Sequence, residues 1–423
     1  MKYLVVGAGK SGVAAANFLV ARGEEVSIAD SSQHPDVPYP LDQRVRRFFG
    51  YQDETALNGA STIIVSPGVP LNIPLLQHAA SRSIPVIGEI ELAYRYLHGT
   101  VIAVTGSNGK STTTALIGEI LKVAGHQPIV AGNIGQPLIA SLDLEKPRTY
   151  VLELSSFQLE TVDSFHANIA LLLNVTPDHM DRYPNFDAYA AAKYRIFRNQ
   201  EKSDTAIVNA AERRQKERGP ATARTWRFSA SQQVDEGAFL DGDAMALRVG
   251  GDARRIPRSS LKLAGLANVE NALASWLAAR AAGADDVAVQ IAFGTFAGLP
   301  HRMVLVRERD ATLKSLEGFH PASVLLILGG KDKAGEFERM RELIAEKTRA
   351  VITIGKAADR IASALEGVAN IVPMGDMQHA VKWASEHSKP GDTVLLSPAC
   401  ASFDQYRNFE HRGEHFEDLV RQL

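Results

Sequence analysis

Cysteine is almost absent from this sequence of 423 residues: Cys400 stands alone, so no disulfide can form within the chain. An excess of positive charge is absent too. The formal net charge is -2, which leaves no overall basic field to hold nucleic acid or an anionic membrane. No apolar run approaches the roughly 20 residues that a membrane span needs. We therefore expect a cytoplasmic protein, without nucleic-acid partners, that holds any anionic ligand at local sites.

The sequence does contain a regular alternation of short apolar, β-branched runs with longer helical patterns. Buried parallel strands covered by helices have this pattern, which predicts the α/β class. A chain of this length is too long for one ordinary core. Breaks in the pattern predict three domains, at residues 1–95, 96–299 and 300–423, with a small β excursion around 211–251. The clearest predicted strands are Tyr3–Val6, Glu25–Ala29, Thr62–Val65, Val101–Thr105, Tyr150–Glu153, Ile169–Asn174, Val324–Leu328, Ala350–Ile354 and Thr393–Ser397.

A first glycine-rich motif, Gly7–Gly12, follows the strand Tyr3–Val6 and opens a helix. Glycines at such a turn let a phosphate approach the helix N-terminus, and Lys10 adds a positive charge that suits a diphosphate. Asp30 ends the next strand, about 20 residues on, where an acid contacts ribose hydroxyls in dinucleotide-binding folds. Taken alone, the motif fits NAD and a dehydrogenase. The simpler alternative is a glycine-rich turn with no ligand.

A second loop, Thr105–Thr112, follows the strand Val101–Thr105 and precedes a helix expected to start near Thr113. It resembles a P-loop that lacks the first glycine of the general motif. Its backbone N–H groups are suited to wrapping phosphates, Lys110 to neutralising the β/γ charge, and the Ser111 hydroxyl to binding Mg²⁺. A dehydrogenase has no use for an ATP γ-phosphate. The second loop therefore weakens that interpretation and indicates activation by phosphoryl transfer.

Acidic and imidazole side chains follow two later strands. Glu153 ends one strand, and the segment Asn174–Asp181, with Asp178 and His179, follows another. Ligands of open α/β folds bind at the carboxyl ends of parallel strands, and hard oxygen ligands suit Mg²⁺. An isolated Asp-His pair in a loop is more often a cap or a surface turn. Its place after a strand next to the P-loop favours a site.

Two single residues carry weaker signals. Lys193 lies on a predicted helix, and spacing alone predicts a solvated surface lysine there. Cys400 lies in the small and polar stretch Ser397–Asp404, which follows a strand and fits the lip of a substrate site. No activating base is apparent beside Cys400, so we expect a packed cysteine rather than a nucleophile.

These motifs together resemble the Mur ligase family over essentially the whole chain. The resemblance implies a Rossmann-like N-terminal domain, a central P-loop ATPase domain and a Rossmann-like C-terminal domain for the amino acid. It is greatest to the members that use ATP and Mg²⁺ to add D-glutamate to UDP-N-acetylmuramoyl-L-alanine, through an acyl phosphate, in peptidoglycan precursor synthesis. The motifs that carry it are Thr105–Thr112, Gly132–Gly135, Glu153–Glu160, Asn174–Asp181, Gly298–Arg302 and Leu396–Gly413.

The resemblance also implies the residues of each site. Those for ATP are Gly106, Ser107, Asn108, Gly109, Lys110, Ser111, Thr112, Asn271 and Arg302. Those for the UDP precursor are Lys10, Ser11, Asp30, Ser66, Pro67, Gly68, Asn133, Ser155 and Gln158. Those for D-glutamate are Lys333, Ser402 and Phe409. The implied metal ligands are Ser111, Glu153, His179 and a carbamylated Lys193, and the implied catalytic residues are Lys110, Asp178, His179 and Lys193.

The sequence departs from the family pattern at two places. Residues 302–310 run directly into Ala311, so that a segment that helps the family to bind nucleotide and glutamate is missing after Asp310. Its loss is expected to leave Met303–Val306 as an edge strand. Ala267 replaces the usual histidine. We hypothesise that ATP and the precursor still bind while ligation is impaired.

Several alternatives stay open at this point. They are another Mur-type amide ligase, a folylpolyglutamate synthetase, a nicotinamide dehydrogenase, and a nucleotide-binding module without ligase activity. The UDP-binding type of N-terminal domain argues against the folate enzyme, and the dehydrogenase rests on Gly7–Gly12 and Asp30 alone. We expect a monomer whose domains close around the substrates.

Overall fold

The computed structural model describes residues 1–50, 54–178, 180, 182–212, 222–263, 265–298, 316, 321–331, 337–397, 399–400, 402, 404–407 and 409–422. The chain divides into two compact units. One contains residues 1–260 and 271–294, and the other contains residues 261–270 and 295–423. The boundaries predicted at residues 95 and 299 stay predictions. No helix in the described part of the chain is long and apolar enough to cross a membrane.

The first sheet of the first unit has five parallel strands in the order β3-β2-β1-β4-β5. Alternate residues of β1 face two different cores, Leu4 and Val6 on one side and Tyr3 and Val5 on the other. Burial of both faces explains why this strand is apolar throughout. The elements are β1 (Lys2–Val6), α1 (Lys10–Ala21), β2 (Glu25–Asp30), β3 (Arg46–Phe49), β4 (Thr62–Val65), α2 (Pro74–Ser81), β5 (Val86–Gly88) and α3 (Glu89–Tyr94).

The second sheet has nine described strands, in the order β14-β13-β12-β11-β10-β9-β6-β8-β7. Its strands are β6 (Gly99–Thr105), β7 (Ile129–Gly132), β8 (Arg148–Glu153), β9 (Ile169–Leu172), β10 (Thr205–Asn209), β11 (Arg224–Ser229), β12 (Gly237–Asp241), β13 (Ala244–Val249) and β14 (Asp252–Pro257). Its helices are α4 (Lys110–Val123), α5 (Ser156–Leu159), α6 (Phe186–Tyr194), α7 (Leu266–Ala281) and α8 (Asp286–Thr295).

One feature of the second sheet corrects the sequence interpretation. Helix α4 begins at Lys110, three residues before the expected start, so Lys110 and Ser111 belong to its first turn. The stretch around 211–251, expected to be a small β excursion, contains strands β11–β13, and these extend the second sheet. Strand β11 pairs in parallel with β10, and the antiparallel strands β12–β14 continue from there.

The third sheet lies in the second unit, and its described strands are parallel, in the order β17-β16-β15-β18. Its elements are β15 (Val324–Gly329), α9 (Arg341–Lys347), β16 (Thr348–Ile354), α10 (Ala358–Ala364), β17 (Ile371–Gly375), α11 (Met377–His387), β18 (Thr393–Leu396) and α12 (Phe409–Arg421). The segment around the missing stretch, with the predicted strand Met303–Val306, lies outside the described residues.

Two buried acids at the start of α3 join the first sheet to loops of the second. Glu91 is fully buried and accepts N–H bonds from Asp163 and Phe165 at 2.9 and 3.0 Å. Glu89 is 2% exposed, and one of its carboxylate oxygens accepts the N–H of Ile139 at 2.7 Å. Burial raises the pKa of Glu89 to about 7 because the charged form loses its hydration.

Candidate functional site

The second glycine-rich loop lies between β6 and α4, at the carboxyl end of the second sheet. Gly109 immediately precedes the helix and has a left-handed conformation, with φ of 82°. A Cβ at this position would lie 2.3 Å from Oδ1 of Asn271. That same oxygen accepts a 3.3 Å bond from the Thr113 hydroxyl. Glycine is therefore required at residue 109 by backbone conformation and by the close approach of α7.

The back of this loop is held by residues that follow β9. The N–H of Ser107 donates to the Asn174 carbonyl at 2.9 Å, and the N–H of Asn108 donates to the Asn174 side chain at 2.8 Å. The Asn174 amide returns a 3.1 Å bond to the Asn108 carbonyl. The Ser107 hydroxyl contacts both the Thr176 carbonyl and the Tyr189 hydroxyl at 2.9 Å. These bonds preorganise the loop conformation, which suits a site that binds phosphates through backbone N–H groups.

Two lysines donate to the same carbonyl oxygen of the loop. Nζ of Lys110 bonds to the carbonyls of Gly106 and Ser107, each at 2.9 Å. Nζ of Lys193 bonds to the Gly106 carbonyl at 2.8 Å. Lys193 is only 2% exposed, and its ammonium lies 4.6 Å from the Tyr189 ring centre. Spacing alone predicted a solvated surface lysine at 193, and that prediction is wrong.

Glu153 lies beside the loop, at the end of β8 and paired in register with Val104 of β6. Its side chain is almost completely buried, and Oε1 accepts a 2.8 Å bond from the Asn133 amide. Oε2 is buried and has no hydrogen-bond partner among the described residues. A buried carboxylate oxygen without a partner is unfavourable, and a cation would satisfy it.

A magnesium ion fits this donor set. Ser111 is also buried, 2% exposed, in the first turn of α4. Mg²⁺ commonly takes one or two carboxylates together with substrate phosphates rather than a cage made by protein alone. His179, the further ligand implied by the resemblance, lies outside the described residues, whereas Asp178 is described and partly buried.

The first glycine-rich loop has a different environment. Gly7 has φ of 95°, and a Cβ on Gly12 would lie 2.0 Å from the Gly7 carbonyl, so both glycines are needed for close helix packing. The Asp30 carboxylate accepts the N–H of Ala8 at 2.8 Å, and the Ser66 hydroxyl donates to the Gly7 carbonyl at 2.9 Å. Asp30 and Ser66 thus hold the loop.

The remaining residues predicted for the UDP precursor are dispersed around these loops. Ser155 and Gln158 form a capping box at α5, in which each accepts a bond from the other's backbone N–H, at 3.2 and 2.9 Å. This gives both residues a structural role. Lys10, Gly68 and Asn133 are exposed, and Ser11 and Pro67 are half-buried.

The described residues of the second unit show part of the predicted amino-acid site. Ser402 is buried, at 3% exposed, and Cys400 is packed in the core as expected. Ala399 has φ of 55°, which is strained for a residue other than glycine. Arg412 of α12 is 1% exposed and donates to the Cys400 carbonyl at 3.3 Å, and burial lowers its pKa to about 10. Arg302 and Lys333 lie outside the described residues, as does the side chain of Phe409, where α12 begins.

Sequence reasoning missed the residues that hold the second loop. Tyr189 went unnoticed, although it precedes Lys193 by four positions and therefore shares its helix face. Asn174 and Thr176 belong to the motif Asn174–Asp181, but the sequence predicted no role for either residue, because nothing in it shows that they bond to residues 107 and 108.

Comparison with known protein families covers most of the chain. Residues 1–88 match the N-terminal domain of MurD-like Mur ligases, and residues 104–279 match the Mur ligase middle domain. Residues 306–400 match the glutamate ligase domain of Mur ligases.

Two relatives named UDP-N-acetylmuramoylalanine--D-glutamate ligase match along nearly their whole length. The protein from Koribacter versatilis is 41% identical over 443 residues, covering 100% of this chain and 97% of the relative. The protein from Acidobacterium capsulatum is 42% identical over 442 residues, covering 99% of this chain and 96% of the relative. The first alignment is 20 positions longer than the 423 residues of this chain, which fits a shortened chain.

Solved structures show the same fold at low identity. The UDP-N-acetylmuramate-alanine ligase MurC from Thermotoga maritima superposes with a TM-score of 0.61 at 18% identity, covering 100% of this chain and 99% of that one. A pseudomurein peptide ligase type C from Methanothermus fervidus has a TM-score of 0.60 at 16% identity, with the same coverage.

Proposed function

The chain belongs to the Mur ligase family, and we propose that within this family it joins D-glutamate to UDP-N-acetylmuramoyl-L-alanine at the expense of ATP. The observation that carries this proposal is identity above 40% to D-glutamate ligases over nearly the whole of both chains. The predicted α/β, three-domain fold and the resemblance to Mur ligases are confirmed. Family membership removes the dehydrogenase interpretation of Gly7–Gly12 and Asp30.

The chemistry must make a carboxylate electrophilic. A carboxylate oxygen of the precursor attacks the γ-phosphorus of ATP, and ADP leaves to give an acyl phosphate. The amino nitrogen of D-glutamate then attacks the acyl carbon and loses a proton. The resulting tetrahedral intermediate expels inorganic phosphate and leaves the amide. Little covalent chemistry falls to the protein, so its contribution is positioning and charge stabilisation.

The second glycine-rich loop is where ATP phosphates would bind. The backbone N–H groups of residues 109–112, at the start of α4, would wrap the phosphates, since those of Ser107 and Asn108 already donate to Asn174. Lys110 now donates to two loop carbonyls, and we propose that it turns to the β/γ-phosphates when ATP is bound. Asn271, which contacts this loop, and Arg302 complete the proposed ATP residues. Asp178 and His179 are proposed to orient the reacting groups.

We propose Ser111, Glu153, His179 and a carbamylated Lys193 as the residues that hold Mg²⁺. The buried, unpaired Oε2 of Glu153 supports this assignment. When bound, Mg²⁺ would neutralise negative charge on the phosphate oxygens.

The crowding of two ammonium groups supports carbamylation of Lys193. Lys110 and Lys193 donate to the same Gly106 carbonyl, and two like charges at such a short separation repel each other. In carbamylation the deprotonated Lys193 amine forms an N–C bond to carbon dioxide and releases a proton to solvent. The Lys193 cation is thereby replaced by an anion, which converts this repulsion into attraction and adds an oxygen ligand for a metal.

The carbamate predicts a specific rescue. Lys193→Ala is expected to lose activity by about a hundredfold or more, and millimolar acetate or formate should restore part of it by supplying the missing carboxylate. Lys110→Ala is the matched control, because no carboxylate replaces a lost cation there. Phosphate release measured with and without the added acid tests this. Unchanged activity of Lys193→Ala, or no selective rescue, contradicts the carbamate.

The remaining assignments rest on the resemblance and the relatives. We propose that the precursor binds through Lys10, Ser11, Asp30, Ser66, Pro67, Gly68, Asn133, Ser155 and Gln158, and D-glutamate through Lys333, Ser402 and Phe409. We also propose that the chain is a cytoplasmic monomer with domain boundaries at residues 95 and 299.

The deciding experiment is phosphate release from ATP with the purified chain, the UDP precursor, D-glutamate and Mg²⁺, omitting each in turn. Release that requires both substrates establishes the proposed ligase. Replacing both substrates together, by UDP-N-acetylmuramate with L-alanine or by UDP-N-acetylmuramoyl-L-alanyl-D-glutamate with a diamino acid, tests the alternative of another Mur-type ligase.

A second candidate, a ligation-impaired variant that still binds nucleotide, is favoured by the alignment that is 20 positions longer than the chain. Binding of ATP and precursor without phosphate release would establish this variant instead.

A further inference from the structure

Arg182 occupies a position that none of the assigned roles explains. It follows His179 by three residues in the chain, and its side chain is largely buried, at 17% exposed. Its guanidinium donates to the Pro67 carbonyl at 3.0 Å and to the Val69 carbonyl at 3.2 Å. It therefore bonds directly to the turn after β4 that carries the proposed precursor residues Ser66–Gly68.

The guanidinium of Arg182 is also held by two residues of the α5 region. It pairs with Glu160 at 3.2 Å, and its central carbon lies 4.0 Å from the centre of the Phe157 ring. Both residues belong to the short α5 region next to the capping box of Ser155 and Gln158. An arginine held by a carboxylate and an aromatic face has few rotamers left, so its two donors point in defined directions.

The turn that receives these bonds is itself joined to the first glycine-rich loop. The Ser66 hydroxyl donates to the Gly7 carbonyl, and a Cβ on Gly7 would lie 2.9 Å from side-chain atoms of both Ser66 and Val69. Because this turn is hydrogen-bonded to Gly7 and lies close to it, a displacement of residues 66–69 would also displace Gly7. Arg182 thus contacts the framework of the proposed precursor site.

The other end of the same segment contacts the proposed ATP loop. We define the linking segment as residues 174–182. At its start, Asn174 and Thr176 bond to Ser107 and Asn108 at 2.8 to 3.0 Å. At its end, Arg182 bonds to the turn at 66–69. At one end of the linking segment, Asn174 and Thr176 therefore bond to the proposed ATP loop, and at the other end Arg182 bonds to the turn proposed for the precursor. Residues 179 and 181 of the segment lie outside the described residues.

We propose that Arg182 is a positioning residue that couples the precursor turn to the ATP loop through the linking segment. Binding of the precursor at the turn then favours the loop conformation that accepts ATP, and ATP favours the turn, because coupling between two sites is reciprocal. This inference rests on the proposed function, since it assumes both substrates.

The test is a binding cycle with the full chain. The dissociation constant of a nonhydrolysable ATP analogue with Mg²⁺ is measured with and without saturating UDP-N-acetylmuramoyl-L-alanine, and the ratio of the two constants gives the coupling. We expect the analogue to bind more tightly with precursor in the wild type, by a factor in the usual range of about 5 to 150. In Arg182→Met the ratio should fall to about one, while the analogue alone binds as in the wild type.

Three further variants separate positioning from general damage. Arg182→Lys keeps the charge and one donor, and should retain part of the ratio. Glu160→Gln leaves the bonds to Pro67 and Val69, and should reduce the ratio less than Arg182→Met. Arg148→Met is the matched control. Arg148 also forms an ion pair, 2.7 Å from Asp143, but it lies at the amino-terminal end of β8, whereas Glu153 lies at the carboxyl end. The ratio measured for Arg148→Met should therefore stay at the wild-type value.

The outcomes are distinct. A wild-type ratio of one, or an Arg182→Met ratio equal to the wild type, overturns the coupling while leaving the ligase intact. If Arg182→Met does not fold, full wild-type ratios in both Arg182→Lys and Glu160→Gln overturn it instead. A wild-type chain that binds neither ATP analogue nor precursor refutes the proposed function, which is a different result.

Discussion

The two glycine-rich loops have the same local plan, a central strand, a turn and a helix, but they differ in what surrounds them. The first loop is held by its own sheet, through Asp30 at the end of β2 and Ser66 after β4. The second loop is held by residues far away in the chain, on the linking segment and on α6 and α7. Their lysines differ as well: Lys10 is exposed, whereas Lys110 is half-buried and doubly bonded.

This difference supports the proposal that the second loop, rather than the first, takes part in the chemistry. An exposed lysine on a loop supported by neighbouring strands suits the binding of a diphosphate that does not react. A lysine held inside a network of hydrogen bonds, next to a buried carboxylate and a second buried lysine, suits charge stabilisation during phosphoryl transfer. Similar sequence motifs thus have unequal roles because their surroundings differ.

Replacing each of the two lysines by methionine should show the largest difference between the two loops. Lys110→Met is expected to lower the rate of phosphate release by about 10²–10³-fold, because a preorganised charge at the transferring phosphate is lost. Lys10→Met should raise KM for the precursor only a few-fold and leave kcat nearly unchanged, because its contact is solvated. Steady-state kinetics of both variants measure the contrast. Equal losses in kcat would contradict it.

Substitutions of one glycine in each loop should also differ, with a smaller free-energy difference. Gly109→Ala places a Cβ 2.3 Å from Asn271 on a backbone with φ of 82°, and should cost about 1–3 kcal/mol and weaken ATP binding. Gly9→Ala, at φ of -73° with no atom within 4 Å of the added Cβ, should change stability by about 0.5 kcal/mol or less. Denaturant unfolding of the two variants tests this, and a destabilised Gly9→Ala would contradict it.

At the junction between the two regions, Glu89 gives an effect that depends on pH. Its pKa is raised from 4.5 to about 7 in the folded chain, so between these pH values the folded state holds a proton that the unfolded state has lost. Stability from this group is therefore complete below pH 4.5 and declines as pH rises to about 7. Glu89→Gln should lose this dependence.

Unfolding free energies of wild type and Glu89→Gln at pH 5 and pH 8 measure the effect. Relative to the wild type, the unfolding free energy of Glu89→Gln should increase by up to about 3 kcal/mol between pH 5 and pH 8. A difference that does not change with pH would show that Glu89 is not protonated in the folded chain.

The sequence allowed prediction of whatever depends on local pattern. Buried strands such as Thr62–Val65 were located to the residue, because apolar β-branched runs between turns have few other interpretations. The second loop was recognised because glycine, lysine and hydroxyl residues follow each other at fixed spacing. Strand β9, expected to reach Asn174, ends at Leu172, because Asn174 uses its backbone carbonyl and side chain to hold the second glycine-rich loop.

Contacts over long distances in the chain could not be predicted. Asn108 and Asn174 are separated by 66 positions, and Ser107 and Tyr189 by 82. The burial of Lys193 depends on the carbonyl of Gly106, 87 positions earlier. Such pairs leave no periodicity in the sequence. Only resemblance to a family pointed to Lys193, and spacing alone gave the wrong prediction for it.

The bond between Thr113 and Asn271, 158 positions apart, has a consequence for how the protein is made. During synthesis the second glycine-rich loop and the start of α4 emerge long before α7, so the contact of Asn271 with Thr113 can form only after the chain beyond residue 271 has left the ribosome. Closing so long a loop is entropically costly and slow. If nucleotide affinity depends on this contact, as we propose, it should appear late in synthesis, and should report that this part of the chain has folded rather than that its motif has been translated.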